Sequence, residues 1–274
     1  MLEHLLTMRL IFYLWIAFAV PHGDVHDQIN ALTNSIQHYP DSLSLYLNRG
    51  ELYLLDENTP AARSDFSFCI RSGLNNSRAY VGLSKTLEPL GLRDSSLYFI
   101  DMALREDPLY YPALEWKAAL LLTMERYCES AEIYSRLLSL ASHPTPALYI
   151  DASLATQLCP EKTHTADQLL LEGMSRLGRL HVLEKALVQN YLEEKRYSEA
   201  LQMQTEIIDH WAVKTTPYYE RAEIYLLTGN KPAAIVDLKN ALQSIDSLPA
   251  YKSATPAMQE MRGKIILLLN QTGS

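Results

Sequence analysis

The chain has 274 residues and a formal net charge of −8. That balance, with no run of Lys or Arg, excludes nucleic acid as a main partner, because phosphate binding needs a clustered basic surface. Hydrophobic residues make up 48% and charged residues 20%, which excludes a mainly disordered chain and predicts a sizeable apolar core.

The N-terminal segment stands apart. Arg9 precedes the apolar run Leu10 to Ala19, and Val20, Pro21, His22 and Gly23 then break a helix. A basic start, a short apolar stretch and Ala17-Phe18-Ala19 predict a signal peptide over 1–19, cleaved after Ala19, with translation starting at Met1 or Met8. The run is shorter than the roughly 20 residues that span a bilayer. An uncleaved anchor is the alternative. The exported chain is expected in a periplasmic or secreted setting, with no integral span after cleavage.

His22, Asp24, His26 and Asp27 form an H-x-D-x-H-D string. We read it as a flexible tail rather than a metal site, with a metal-binding role as the outside alternative. Val25, Ile29, Leu32 and Ile36 then recur at helical spacing and predict an amphipathic helix over Asp24–Tyr39, ending before Pro40. With its tail it fills 20–42 as an N-terminal cap.

From Leu43 the sequence repeats every 34 residues. Gly50, Ser84 and Ala118 keep step, as do Tyr53, Leu87 and Leu121. Near the C-terminus Tyr191 and Tyr225 repeat the interval, as do Ala200 and Ala234. Units begin near 43, 77, 111, 145, 181 and 215 and occupy 43–248. Each predicts two helices with one apolar stripe apiece. Small residues such as Gly50 and Ala62 let helices approach, and Tyr46, Tyr53 and Phe66 fill the grooves around them. Thr59-Pro60 predicts an N-cap followed by a first-turn proline, and Gly229-Asn230-Lys231-Pro232 repeats the pattern. The fourth unit slips by two residues within Cys159–His164, which predicts a longer turn. Residues 249–274 carry a last helix after Thr255-Pro256, with Met258, Met261, Ile265 and Leu268 on one stripe.

These residues resemble the tetratricopeptide-repeat family, whose pattern wants a large residue at position 4, small at 8, aromatic at 11, Ala at 20 and 27, and Pro near 32. The first unit supplies Tyr46, Gly50, Tyr53, Ala62, Phe66 and Cys69; the last supplies Tyr218, Ala222, Tyr225, Ala234, Leu238 and Ala241. The resemblance implies an all-α, right-handed α-solenoid of about six helix-turn-helix units with capping helices at both ends. It also implies a concave groove lined by positions 2, 5, 9 and 12. Candidate partner-binding residues on that basis are Leu47, Glu51, Arg78, Lys85, Glu115, Tyr149, Lys185, Tyr219 and Glu223, with Gln189, Leu192 and Leu226 at equivalent positions.

No catalytic, metal or cofactor constellation is expected. The partner is expected to be another protein or peptide, with self-association as the alternative. Cys69, Cys128 and Cys159 have no metal-type spacing. Cys69 reads as a small core residue, and Cys128 and Cys159 as two independent thiols, with a bridge as the alternative.

Overall fold

The computed structural model describes residues 22–160 and 166–272. The predicted signal segment, and most of the predicted long turn, lie outside the described residues. Among those described there are helices and no strands. They divide into two compact units, with the boundary between Ser139 and Leu140.

The first unit holds α1 (His22–His38), α2 (Leu43–Leu55), α3 (Thr59–Arg71), α4 (Ser77–Leu87), α5 (Arg93–Glu106), α6 (Tyr111–Thr123) and α7 (Tyr127–Leu140, ending at the boundary). The His/Asp string therefore opens a helix rather than forming a tail. The second unit holds α8 (Pro146–Leu158), α9 (Ala166–Leu177), α10 (His181–Glu193), α11 (Tyr197–His210), α12 (Thr215–Leu227), α13 (Lys231–Asp246), the short α14 (Ala250–Ser253) and α15 (Pro256–Thr272).

In the first unit the two helices of a repeat run antiparallel. The Cys69 thiol at the end of α3 donates to the Leu43 carbonyl at the start of α2 (3.4 Å), and Ser77 Oγ, opening α4, donates to the Ala103 carbonyl near the end of α5 (2.9 Å).

One device closes most of the turns. Glu57, Gly91, Glu125, Lys195 and Gly229 all have positive φ, between 57° and 75°. In each case the amide of the next residue donates to a carbonyl five positions back: Asn58 to Tyr53, Leu92 to Leu87, Arg126 to Leu121, Arg196 to Tyr191, Asn230 to Tyr225, at 2.7 to 3.2 Å. This left-handed closure satisfies a carbonyl that the helix end would leave open. Three of the five left-handed residues carry side chains, so the closure has no glycine signature in the sequence. In the fourth repeat the donating position is Pro160, which has no N–H. That position therefore cannot donate the same bond. Asn58 and Asn230, not the residues after them, are the N-caps, accepting from Ala61 and Ala233 amides at 3.3 and 3.2 Å. Thr59 is the first helical residue.

Packing follows the repeat. In the first unit Leu47, Ala62, Phe66, Cys69, Ala79, Leu83 and Leu87 form one buried cluster. In the second, Ala222, Ala234, Leu238, Ala241 and Ile245 pack with Ile265 of α15, with Met258, Met261 and Leu268 beside them. The last helix thus covers the apolar face of the last pair. Buried serines take partners: Ser84 and Ser96 share a 2.7 Å hydrogen bond, and Ser130 and Ser153 donate to the Ala118 and Ala166 carbonyls.

An ionic clasp recurs in both units. Arg49 on α2 grips Asp65 on α3 through two hydrogen bonds of 2.8 Å and reaches Thr33 of α1 at 3.1 Å, between the rings of Tyr46 and Tyr53 at 5.5 and 5.6 Å. Arg221 on α12 grips Asp237 on α13 at 2.7 and 2.9 Å and reaches Thr205 of α11 at 2.9 Å, between Tyr218 and Tyr225 at 5.8 and 5.9 Å. Each guanidinium therefore ties three successive helices.

Cys69 is a buried free thiol, its pKa pushed up to about 11 mainly by burial. Cys128 and Cys159 are both disulfide-bonded. The reading of both as free thiols is thus corrected in favour of the oxidised state.

Candidate functional site

The second unit contains a cavity of about 650 Å³. Two helices supply its walls with the same spacing. From α10 come Lys185, Val188, Gln189 and Leu192; from α12 come Glu220, Glu223, Ile224 and Leu227, with Leu226 beside them. Residues at i, i+3, i+4 and i+7 share one helix face, so each helix presents a single continuous wall. Gln204 of α11 lies between them, and Leu268 of α15 closes one side.

The polar rim is almost fully committed. Lys185 Nζ donates to Glu220 Oε1 at 2.7 Å, and buried Gln204 donates to Glu220 Oε2 at 3.1 Å and to the Pro217 carbonyl at 3.1 Å. The Gln189 amide is held by Glu193 at 2.8 Å. Glu223 differs: its hydrogen-bond partner is the neutral hydroxyl of Tyr219. Burial pushes the Glu223 carboxyl above the usual carboxylate range and the Glu220 charge adds to the rise, against the Tyr219 hydrogen bond and the pull of Lys185 and Lys264. Tyr219 is pushed up to about 12, first by burial and then by the Glu223 charge.

The groove candidates separate into three groups. Lys185 and Glu223 line the cavity, with Tyr219 behind Glu223. Glu51, Arg78, Lys85 and Glu115 belong to the first unit. There Arg78 spans both oxygens of Glu51 at 2.9 and 2.6 Å, so the two charges answer each other. Lys85 stands over the Trp116 ring at 5.7 Å, and burial raises the Glu115 carboxyl against the pull of Lys85.

Leu47 and Tyr149 are the corrections. Leu47 is 4% exposed, enclosed by Ala62, Phe66, Ala79 and Leu83. Tyr149 is 0% exposed. Its ring fills the slot opposite Gly173 of α9, where a Cβ would lie 2.9 Å from Tyr149 Cγ. Its hydroxyl meets Glu172 and Arg176, both at 3.1 Å. A glycine on the facing helix turned a groove position into a core position.

Sequence reasoning missed Gln204, Glu220, Val188, Ile224, Leu227 and Leu268. Val188, Glu220, Ile224 and Leu227 carried a usable signal, because they share helix faces with candidates on α10 and α12, whereas Gln204 lies on α11, which held no candidate. Leu268 carried none, since its place depends on how α15 docks. Among the described residues no three His, Cys, Asp or Glu side chains gather to hold a metal, and His26 instead faces Asp56 at 3.5 Å. Among them, too, no helix is long and apolar enough to cross a membrane.

No family model matches the sequence, and no curated protein matches it. Solved structures do resemble its fold. The C-terminal part of a tetratricopeptide-repeat-containing protein from Cytophaga hutchinsonii aligns with a TM-score of 0.65 at 12% identity, covering 85% of this chain and 95% of that one. A tetratricopeptide-repeat protein from Parabacteroides merdae aligns with a TM-score of 0.58 at 15% identity, covering 93% and 95%. The pilF protein of Pseudomonas aeruginosa aligns with a TM-score of 0.54 at 13% identity, covering 82% and 98%. At such identities the likeness is one of architecture, and by architecture this chain has the tetratricopeptide-repeat fold.

Proposed function

We propose that the protein is a non-enzymatic scaffold that holds a peptide or helix of another protein, and that the cavity between α10 and α12 is where it does so. The observation that carries this reading is the pairing of two parallel-patterned helix faces around about 650 Å³ of open space with an apolar interior. An amphipathic helix or extended segment can lay its apolar side chains against Val188, Leu192 and Ile224 without any catalytic group. Packing alone does not require such a space, since a finished core leaves few voids larger than water.

A photo-crosslinking residue in place of Gln189 should capture a partner in cells. The same residue in place of Val236, which is 57% exposed and does not line the cavity, should not. Equal labelling at both positions, or none at Gln189, removes the cavity from consideration.

We propose further that the chain is exported. The signal-like run Leu10 to Ala19 supports this, and so do two disulfide-bonded cysteines, which persist in oxidising compartments. Intact-mass measurement of protein from its native host should find a chain beginning at Val20. After unfolding without reductant it should take up one alkyl group, at Cys69. A chain retaining residues 1–19 with three reactive thiols refutes export.

A further inference from the structure

We propose that the cavity of the second unit selects a basic partner: a segment that presents a large aliphatic side chain within one helical turn of a lysine or arginine. The proposal rests on the cavity being the binding site and adds the chemistry of what it takes.

The argument is a charge account of the lining. Its cation, Lys185, is bound to Glu220 at 2.7 Å, and the other oxygen of Glu220 is taken by Gln204. The cation approaching from α15, Lys264, is held by Glu260 at 2.7 Å. Glu223 takes a neutral hydroxyl donor and, among the described residues, no cation at ion-pair distance, with Lys185 and Lys264 acting on it only from further off. The lining therefore carries one carboxylate in excess, at the mouth of an apolar space. An acidic peptide or a free C-terminal carboxylate meets repulsion there. A guanidinium or ammonium completes the ion pair, and the aliphatic part of the same segment covers Leu227, which is 65% exposed. Burial that raises the Glu223 carboxyl is relieved by the same cation, so ligand and site stabilise each other.

Random twelve-residue peptides displayed on phage, selected on the full chain, test this. The peptides recovered should place Lys or Arg beside Leu, Ile, Met or Phe. A synthetic copy of the best one should lose about two- to fivefold in affinity against Glu223→Gln. It should lose several-fold between 50 and 500 mM salt, as a rim charge pair is screened. Glu223→Gln keeps the Tyr219 hydrogen bond and removes a crowded charge, so its melting temperature should hold or rise. A merely structural role for Glu223 would lower it. Leu227→Ser should also weaken the peptide, at an exposed position that the fold does not need.

Recovered peptides that lack a cation, or that bind Glu223→Gln unchanged, overturn the basic-partner proposal. If Leu227→Ser still weakens them, the cavity reading survives alone. If neither substitution matters, or no peptide is recovered, both readings fall.

Discussion

Gly82→Ala should destabilise the first unit, whereas Gly263→Ala should stabilise the second. Both glycines lie inside helices, where alanine is favoured by about 1 kcal/mol on propensity. At Gly263 an added Cβ meets nothing within 4 Å, so the propensity gain should appear nearly whole. At Gly82 the Cβ would lie 2.4 Å from Phe66 Cζ, and a Cβ at Gly50 would lie 3.0 Å from the same ring. Phe66 is 0% exposed and held between α2 and α4, so its ring has nowhere to retreat. Overpacking of that kind costs about 1–3 kcal/mol, which exceeds the propensity gain and reverses the sign. Removing the ring with Phe66→Ala should cost more, about 3–5 kcal/mol, because the two glycines leave no side chains to collapse into the space. Urea unfolding gives the sign, and hydrogen exchange over α2 to α4 places it, since arrays of this type need not unfold as one. A stabilised Gly82→Ala would show that the ring has room to move.

Arg49→Met should be the most damaging single change in the clasp, at about 3–5 kcal/mol. The Asp65 carboxylate, 4% exposed, would lose a two-pronged ion pair and remain buried without a counter-charge. Methionine keeps the packing of the side-chain stem, so most of the loss is electrostatic. The double variant Arg49→Met, Asp65→Leu should therefore recover most of it, because the pair together contributes little beyond its apolar replacement. Arg49→Lys should fall between. A lysine offers a point charge, and cannot span both oxygens of Asp65, reach Thr33 and lie against Tyr46 and Tyr53 at once. The matching clasp of Arg221, Asp237 and Thr205 predicts the same order of effects in the second unit, followed by exchange over α11 to α13. If the double variant is as unstable as the single one, the clasp acts through shape rather than charge.

These two expectations show where sequence reading stops. The interval from Gly50 to Ser84 to Ala118 was enough to place paired helices and their small contact residues, because such contacts are local and repeat. It was not enough to see that Gly82, off the small-residue position, faces Phe66 more closely than Gly50 does. Arg49 with Asp65 and Arg221 with Asp237 fall at the same places in their repeats, yet the shared register alone does not say that the two side chains meet or that Thr33 and Thr205 join them. Lys185 and Glu223 were legible in the candidate site because position within a repeat fixes which way a first helix points. Tyr149 was misread for the complementary reason: whether a groove position is open depends on the residue opposite, and Gly173 let the ring sink.

By itself the sequence determined the helical class, the 34-residue unit, the sites of the turns and the slip after Cys159. All of these follow from hydrophobic spacing and from the residues that interrupt it. Only the tertiary structure decided which charges are answered and which are left over. Lys185 with Glu220, and Glu223 with no cation at ion-pair distance among the described residues, are matters of a few ångströms between helices, and a one-dimensional pattern does not contain those distances.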